Sequence, residues 1–181
     1  MELEILNFIQ NQLKSPFMDS LMTFITTLGN GGIIWITIGV LCLGFKKTRP
    51  VGIQLLLAIA LGFLIGNLGL KVLIGRQRPY TRNEDILLLI AEPKDYSFPS
   101  GHTLSSFAAA ISIFFYNKKW GAAALVLASL IAFSRMYLYV HYPSDIAGGL
   151  LLAIVVAVLA RYLIAKLREI RGRKKDGLHR M

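Results

Sequence analysis

Three short polar clusters interrupt an otherwise apolar chain of 181 residues: Lys71, Arg78 and Pro79; then Pro99-Ser100-Gly101-His102; then Ser134-Arg135, followed by His141 and Asp145. Together they supply two histidines, one carboxylate, three cations and a glycine-bearing turn. Those are the parts that phosphoryl transfer through a covalently phosphorylated histidine requires. They offer a nucleophile with an orienting acid, a second proton carrier, and fixed positive charge around the transferred group.

Each cluster also has a plainer reading. Lys71 and Arg78 are seven apart, nearly two helical turns, so a helix continuing that far sets both on one face and Pro79 ends it. They suit a phosphate there, or they snorkel to the headgroups. Pro99 to His102 leads into an apolar run from Thr103, which places Gly101 and free backbone N–H groups at a helix N-terminus, an anion cradle. Ser100 serves equally well as an N-cap. His141 and Asp145 are four apart, with Pro143 in the first turn of the next helix. Asp145 is thus placed to hold one imidazole nitrogen while the other faces a substrate. Acting only on the helix dipole would explain Asp145 but leave His141 and Arg135 unused.

The elements that must position these residues are membrane helices. Apolar residues make up 55% of the chain and charged ones only 17%, with a mean hydropathy of +0.57, beyond the usual range of soluble domains. The sequence predicts one all-α integral membrane domain over residues 1–181. Residues 1–28 form interfacial helices, 29–167 a five-span core, and 168–181 a basic cytoplasmic tail. The spans expected are Gly29–Phe45, Gly52–Ile74, Thr103–Tyr116, Trp120–Val140 and Ile146–Ile164. Ahead of them, Ile5–Leu13 and Phe17–Leu28 have amphipathic spacing. Gly29-Asn30-Gly31-Gly32 then breaks the pattern. Met1–Ser15 lacks a basic start and a cleavage site, so the first span is expected to act as its own insertion signal. The single cysteine, Cys42, excludes an intramolecular disulfide within this sequence.

A formal charge of +10 invites nucleic acid as a partner, but the cations are not arranged as a stripe with aromatics, and no nucleic-acid partner is expected. They follow membrane topology instead. If the first span runs outside to inside, Lys46-Lys47-Thr48-Arg49, Asn117-Lys118-Lys119 and the tail from Arg161 to Arg180 are cytoplasmic, with thirteen of the twenty cations. The N-terminus and the loops carrying all three clusters then fall on the non-cytoplasmic side. Tyr80, Tyr137, Tyr139 and Tyr142 read mainly as interfacial anchors. Glu84, Asp85, Glu92 and Asp95 read as solvating charges on the loop from Arg82 to Asp95, and His179 as a solvated tail residue.

The three clusters, in this order and with 19 residues between Pro79 and Pro99 and 31 between His102 and Ser134, resemble the three-part signature of the type 2 phosphatidic acid phosphatase superfamily at every motif position. The likeness covers Lys71 to Asp145. The small five-span form resembles the bacterial undecaprenyl-diphosphate phosphatases of that superfamily. The resemblance implies a membrane lipid phosphatase without metal or other cofactor, acting on a lipid phosphate or diphosphate. It implies His141 as nucleophile, Asp145 as its orienting partner, and His102 as acid and then base. Lys71, Arg78, Ser100, Gly101 and Arg135 would hold the phosphate. Phosphatidylglycerol phosphate and phosphatidic acid are alternative substrates, and a lipid-phosphate binder or transporter is the alternative of another class.

Overall fold

A computed structural model describes residues 1–83 and 86–178, with side chains to 173; Glu84, Asp85 and His179 lie outside the described residues. Every regular element among the described residues is helical. The elements are α1 (Glu2–Leu13), α2 (Pro16–Leu28), a 3₁₀ turn (Asn30–Gly32), α3 (Ile33–Gly44) and α4 (Arg49–Gly62). A π-helical stretch (Phe63–Leu70) carries α4 into the short α5 (Lys71–Ile74). Chain that is irregular except for a 3₁₀ turn (Pro79–Arg82) then leads to α6 (Gly101–Phe114), α7 (Lys118–Tyr137) and α8 (Pro143–Leu178).

The bundle is built as a membrane protein is, with small residues inside and large apolar ones outside. Helix α6 packs against α4, α7 and α8. Ala108, Ala109, Ala110, Ala128, Ala153, Ala157 and Ala160 are buried at these seams, while Val126, Leu151, Val155 and Val158 face outward. Without a hydrophobic drive between lipid and protein, close backbone approach and a few buried hydrogen bonds must hold the helices together. Trp35 Nε1 donates to Ser106 Oγ at 2.9 Å, and Gln54 Nε2 donates to the Ala157 carbonyl at 2.8 Å.

Three helical stretches are long and apolar enough to cross a bilayer: Arg49–Arg82, Lys118–Tyr137 and Pro143–Arg173. Helix α6 is apolar but shorter. The N-terminal region differs from the expectation of two interfacial helices before a span at Gly29. Pro16–Leu28 and Asn30–Gly44 are long and apolar enough to cross a bilayer only together, as a pair bent by 41°. The cause is local. Gly31 and Gly32 have φ of 59° and 68°, left-handed values that interrupt the helix at little cost because glycine has no Cβ. Thus α2 and α3 meet at a sharp bend, and its glycines face the functional clusters.

Helix α5 ends at Ile74, the end expected for the second span. A helix continuing to Pro79 would set Lys71 and Arg78 on one face, but α5 stops at Ile74 because Gly75 takes the left-handed conformation, φ 61° and ψ 29°, as a C-terminal cap. Arg78 is extended. The two cations converge through a chain reversal.

Candidate active site

His141 lies in the connection between α7 and α8, following Tyr139, a non-glycine residue at φ 58°. Tyr139 is buried, and its hydroxyl donates to Asn7 Oδ1 at 2.7 Å. Packing thus holds a strained turn immediately before the histidine. His141 is itself 1% exposed. Its Nδ1 is 3.4 Å from Asp145 Oδ2 and 3.4 Å from Ser97 Oγ, while Nε2 is 3.2 Å from Arg78 Nη1. A carboxylate on the Nδ1 side favours the proton there and leaves the Nε2 lone pair toward the cationic cleft. Burial first, then Arg78, Arg135 and Lys71, keep the imidazole well below its ordinary pKa, so the ring is neutral and can attack.

Asp145 is fully buried behind this ring, not on the cleft wall. Its Oδ2 accepts from Ser97 Oγ at 2.5 Å and from the Tyr142 backbone N–H at 2.8 Å; its Oδ1 accepts from Arg76 Nη1 at 2.6 Å. Ser97 and Arg76 were not singled out by the motif spacing. Their only sequence signal is position: each is two residues ahead of a motif residue, Arg78 or Pro99.

The cleft, about 850 Å³ with its open mouth, is lined by Lys71, Arg78, Gly101, His102, Arg135 and His141, which come from the three motif stretches 71–78, 101–102 and 135–141. Arg135 is 3% exposed; its Nη1 donates to Thr26 Oγ1 at 2.6 Å, and its Nε finds no partner among the described residues. A buried guanidinium N–H left unpaired is costly, and an anionic oxygen in the cleft would satisfy it.

The structure corrects the reading of Asp95 as a solvating loop charge. Asp95 Oδ2 accepts from Lys71 Nζ at 2.6 Å and Oδ1 from Arg78 Nη2 at 2.6 Å, while the Asp95 carbonyl accepts from Arg78 Nε at 2.9 Å. Partial burial would raise its pKa, but Lys71 and then Arg78 bring it down to about 2. This carboxylate gathers the two cations that the chain reversal brings near. Three cations still outnumber it in the cleft. Glu92 is exposed, in keeping with a solvating role.

Ser100 and Gly101 part company. The Ser100 hydroxyl is turned inward as the N-cap of α6, 3.4 Å from the Thr103 N–H and 3.0 Å from Thr103 Oγ1, and does not line the cleft; Gly101 does. The cap explains the buried serine, so its hydroxyl is not on the phosphate-facing wall. His102 follows in the first turn. Its Nε2 is 2.9 Å from Asn30 Oδ1, the side chain held out by the glycine break. A Cβ at Gly29 would lie 2.8 Å from His102 Cδ2 and 2.7 Å from Ile131 Cγ2, so the glycine also makes room for the ring.

The tyrosines depart from the anchor reading as well. Tyr137 and Tyr139 are fully buried, and Tyr137 Oη donates to Asp19 Oδ1 at 2.6 Å. Tyr142 is also buried and lies beneath the Arg76 guanidinium, 4.0 Å from its ring centre. They tie α1 and α2 to the site instead of marking the membrane surface.

A helical membrane bundle with two histidines and three converging cations at one cleft defines a class of membrane phosphatase. Residues 51–169 match the PAP2 superfamily, and the chain belongs to it. Undecaprenyl-diphosphatase from Sulfolobus acidocaldarius is 32% identical over 151 residues, spanning 83% of this chain and 71% of that protein. The fold is similar to that of LpxE from Aquifex aeolicus, with a TM-score of 0.77 and 29% identity over 89% of this chain and 94% of that one. It is also similar to a transmembrane PAP2-type phosphatidylglycerolphosphate phosphatase from Bacillus subtilis, with a TM-score of 0.73 and 28% identity over 91% and 85% of the two chains.

Proposed function

We propose that this protein hydrolyses a polyprenyl diphosphate such as undecaprenyl diphosphate at the non-cytoplasmic membrane face, through a phosphohistidine on His141. The observation that carries the reading is His141 itself: Nδ1 backed by Asp145 and Ser97, Nε2 toward the cleft and 3.2 Å from Arg78. In the first step Nε2 attacks the terminal phosphorus and the anhydride P–O bond breaks. The bridging oxygen leaves as a polyprenyl monophosphate, protonated by His102. In the second step water attacks the phosphohistidine, His102 takes its proton, and the P–N bond breaks to release inorganic phosphate.

Lys71, Arg78 and Arg135, with the Gly101 backbone N–H, stabilise the equatorial oxygens as charge spreads over the transferring group. The same cations do the electrostatic work without a metal. Asp95 competes for Lys71 and Arg78, so the incoming phosphate displaces it or shares them. The distribution of Lys and Arg between the loops supports a cleft outside and a C-terminus inside.

The diphosphate is favoured by the likeness to the Sulfolobus undecaprenyl-diphosphatase. The Bacillus phosphatidylglycerolphosphate phosphatase supports phosphatidylglycerol phosphate as a second reading. Phosphate release from both lipids and from phosphatidic acid, in detergent with excess chelator, ranks them when wild type is run beside His141→Ala. The account expects release from undecaprenyl diphosphate that survives chelation and vanishes in the variant. No release from any lipid by folded protein would point to a binder or transporter.

A further inference from the structure

The N-terminal helix reaches the back of the site through Arg76. Arg76 Nη1 donates to Asp145 Oδ1 at 2.6 Å and to Ser144 Oγ at 2.6 Å, and Nη2 donates to Glu2 Oε2 at 2.6 Å. The other oxygen of Glu2 accepts from the Ser144 backbone N–H at 3.0 Å and from Ser144 Oγ at 2.6 Å, at the start of α8. The Arg76 carbonyl accepts from the Ser97 N–H at 2.8 Å, and Ser97 is the second side chain on Asp145. One arginine thereby joins α1, the loop before α6, and the first turn of α8.

We propose that Arg76 is a positioning residue for the reaction, acting on His141 through Asp145, and that Glu2 couples α1 to this arrangement. The proposal rests on His141 being the nucleophile. Asp145 is buried with both oxygens committed, and an uncompensated carboxylate would hold a proton on His141 and remove the lone pair needed for attack. The Arg76 charge balances that carboxylate while its two nitrogens fix where the carboxylate points. The remaining charged and titratable groups around His141 are Arg78 and Asp95 in the connecting segments, Lys71 on α5, Arg135 on α7 and His102 on α6. None of these bonds to Asp145 as Arg76 does, directly through Nη1. Glu2 is itself held below the usual carboxylate range; its partial burial opposes this, but the Ser144 hydrogen bonds and Arg76 outweigh it.

The test is the pH dependence of kcat and KM for phosphate release by full-length protein, in Arg76→Gln, Arg76→Lys, Glu2→Gln and His141→Ala. Arg76→Gln keeps a hydrogen-bonding group but loses the charge. We expect kcat to fall roughly 10- to 100-fold, as when outer partners of working residues are removed, with KM changed less than about threefold. The acid limb of kcat/KM should move to higher pH, because His141 gains its proton more readily. Arg76→Lys should hold the limb near its wild-type position. Glu2→Gln removes an anion and should move the limb slightly to lower pH. A strap that merely holds the fold would lower activity equally at all pH, and superimposable profiles for Arg76→Gln would overturn the proposal. Should Arg76→Gln fail to fold, an unmoved limb in Glu2→Gln overturns it instead. Activity surviving in His141→Ala would remove the nucleophile reading itself, a separate failure.

Discussion

The two histidines of the cleft are held in contrasting ways. His141 is buried in a turn, with one ring nitrogen backed by Asp145 and Ser97 and the other beside Arg78. His102 stands in the first turn of α6, with Asn30 as its ring partner among the described residues. Asn30 in turn sits in a break flanked by glycines. The contrast fits the separate tasks proposed for them. A nucleophile gains from one fixed line of attack, since orientation is worth several powers of ten. An acid that becomes a base must serve the leaving oxygen and then a water, and a single side-chain partner leaves it that freedom.

Breaking the nucleophile side should have the largest effect. His141→Ala is expected to lower phosphate release by a factor on the order of 10⁴ or more, the scale of losing a nucleophile from a coupled set. No better leaving group should rescue it. His102→Asn should slow release of a lipid phosphate by about 10²–10⁴-fold, the usual worth of acid–base catalysis. With an aryl phosphate, whose leaving oxygen needs little protonation, the first step should recover and phosphoenzyme should accumulate. Single-turnover kinetics with both substrates checks this, and equal loss with each would dissolve the distinction between the two histidines.

Smaller changes sharpen the comparison. Asn30→Ala leaves the His102 ring without its partner and should reduce kcat about tenfold, with little effect on the aryl phosphate reaction. Asp95→Asn removes an anion from beside the incoming phosphate. Its KM for lipid phosphate should fall a few-fold, since like charges a few ångströms apart repel by a few kcal/mol at an effective dielectric of about 20, partly offset by looser cations. A raised KM would mean that Asp95 chiefly holds Lys71 and Arg78 in place.

The motif residues were legible as a group because phosphoryl chemistry restricts residue type and the helix starts restrict spacing, although Ser100 turns inward as a cap. Lys71, Arg78, Gly101, His102, Arg135 and His141 do line one cleft, and Asp145 stands behind His141. The helical bundle was legible from apolar runs alone. The partners that tune the site were not, since Glu2, Thr26, Asn30, Arg76 and Ser97 are ordinary polar residues whose contacts span up to 142 positions. No local pattern encodes such pairings. Two features of the backbone did have local signals. Gly75 inside an apparently helical stretch marked the stop that separates Lys71 from Arg78. The glycines around Asn30 marked a bend between α2 and α3, although hydrophobic spacing could not say that the two helices form one bent pair.

The phosphohistidine is the centre of the account, and trapping it tests that centre most directly. His102→Asn would be mixed with a ³²P-labelled aryl phosphate, whose leaving oxygen needs little protonation, quenched in alkali and mapped by peptide. The account predicts a base-stable, acid-labile label on the peptide containing His141, absent from the double variant that also carries His141→Ala. Unlabelled protein despite turnover, or a label that persists without His141, would contradict it.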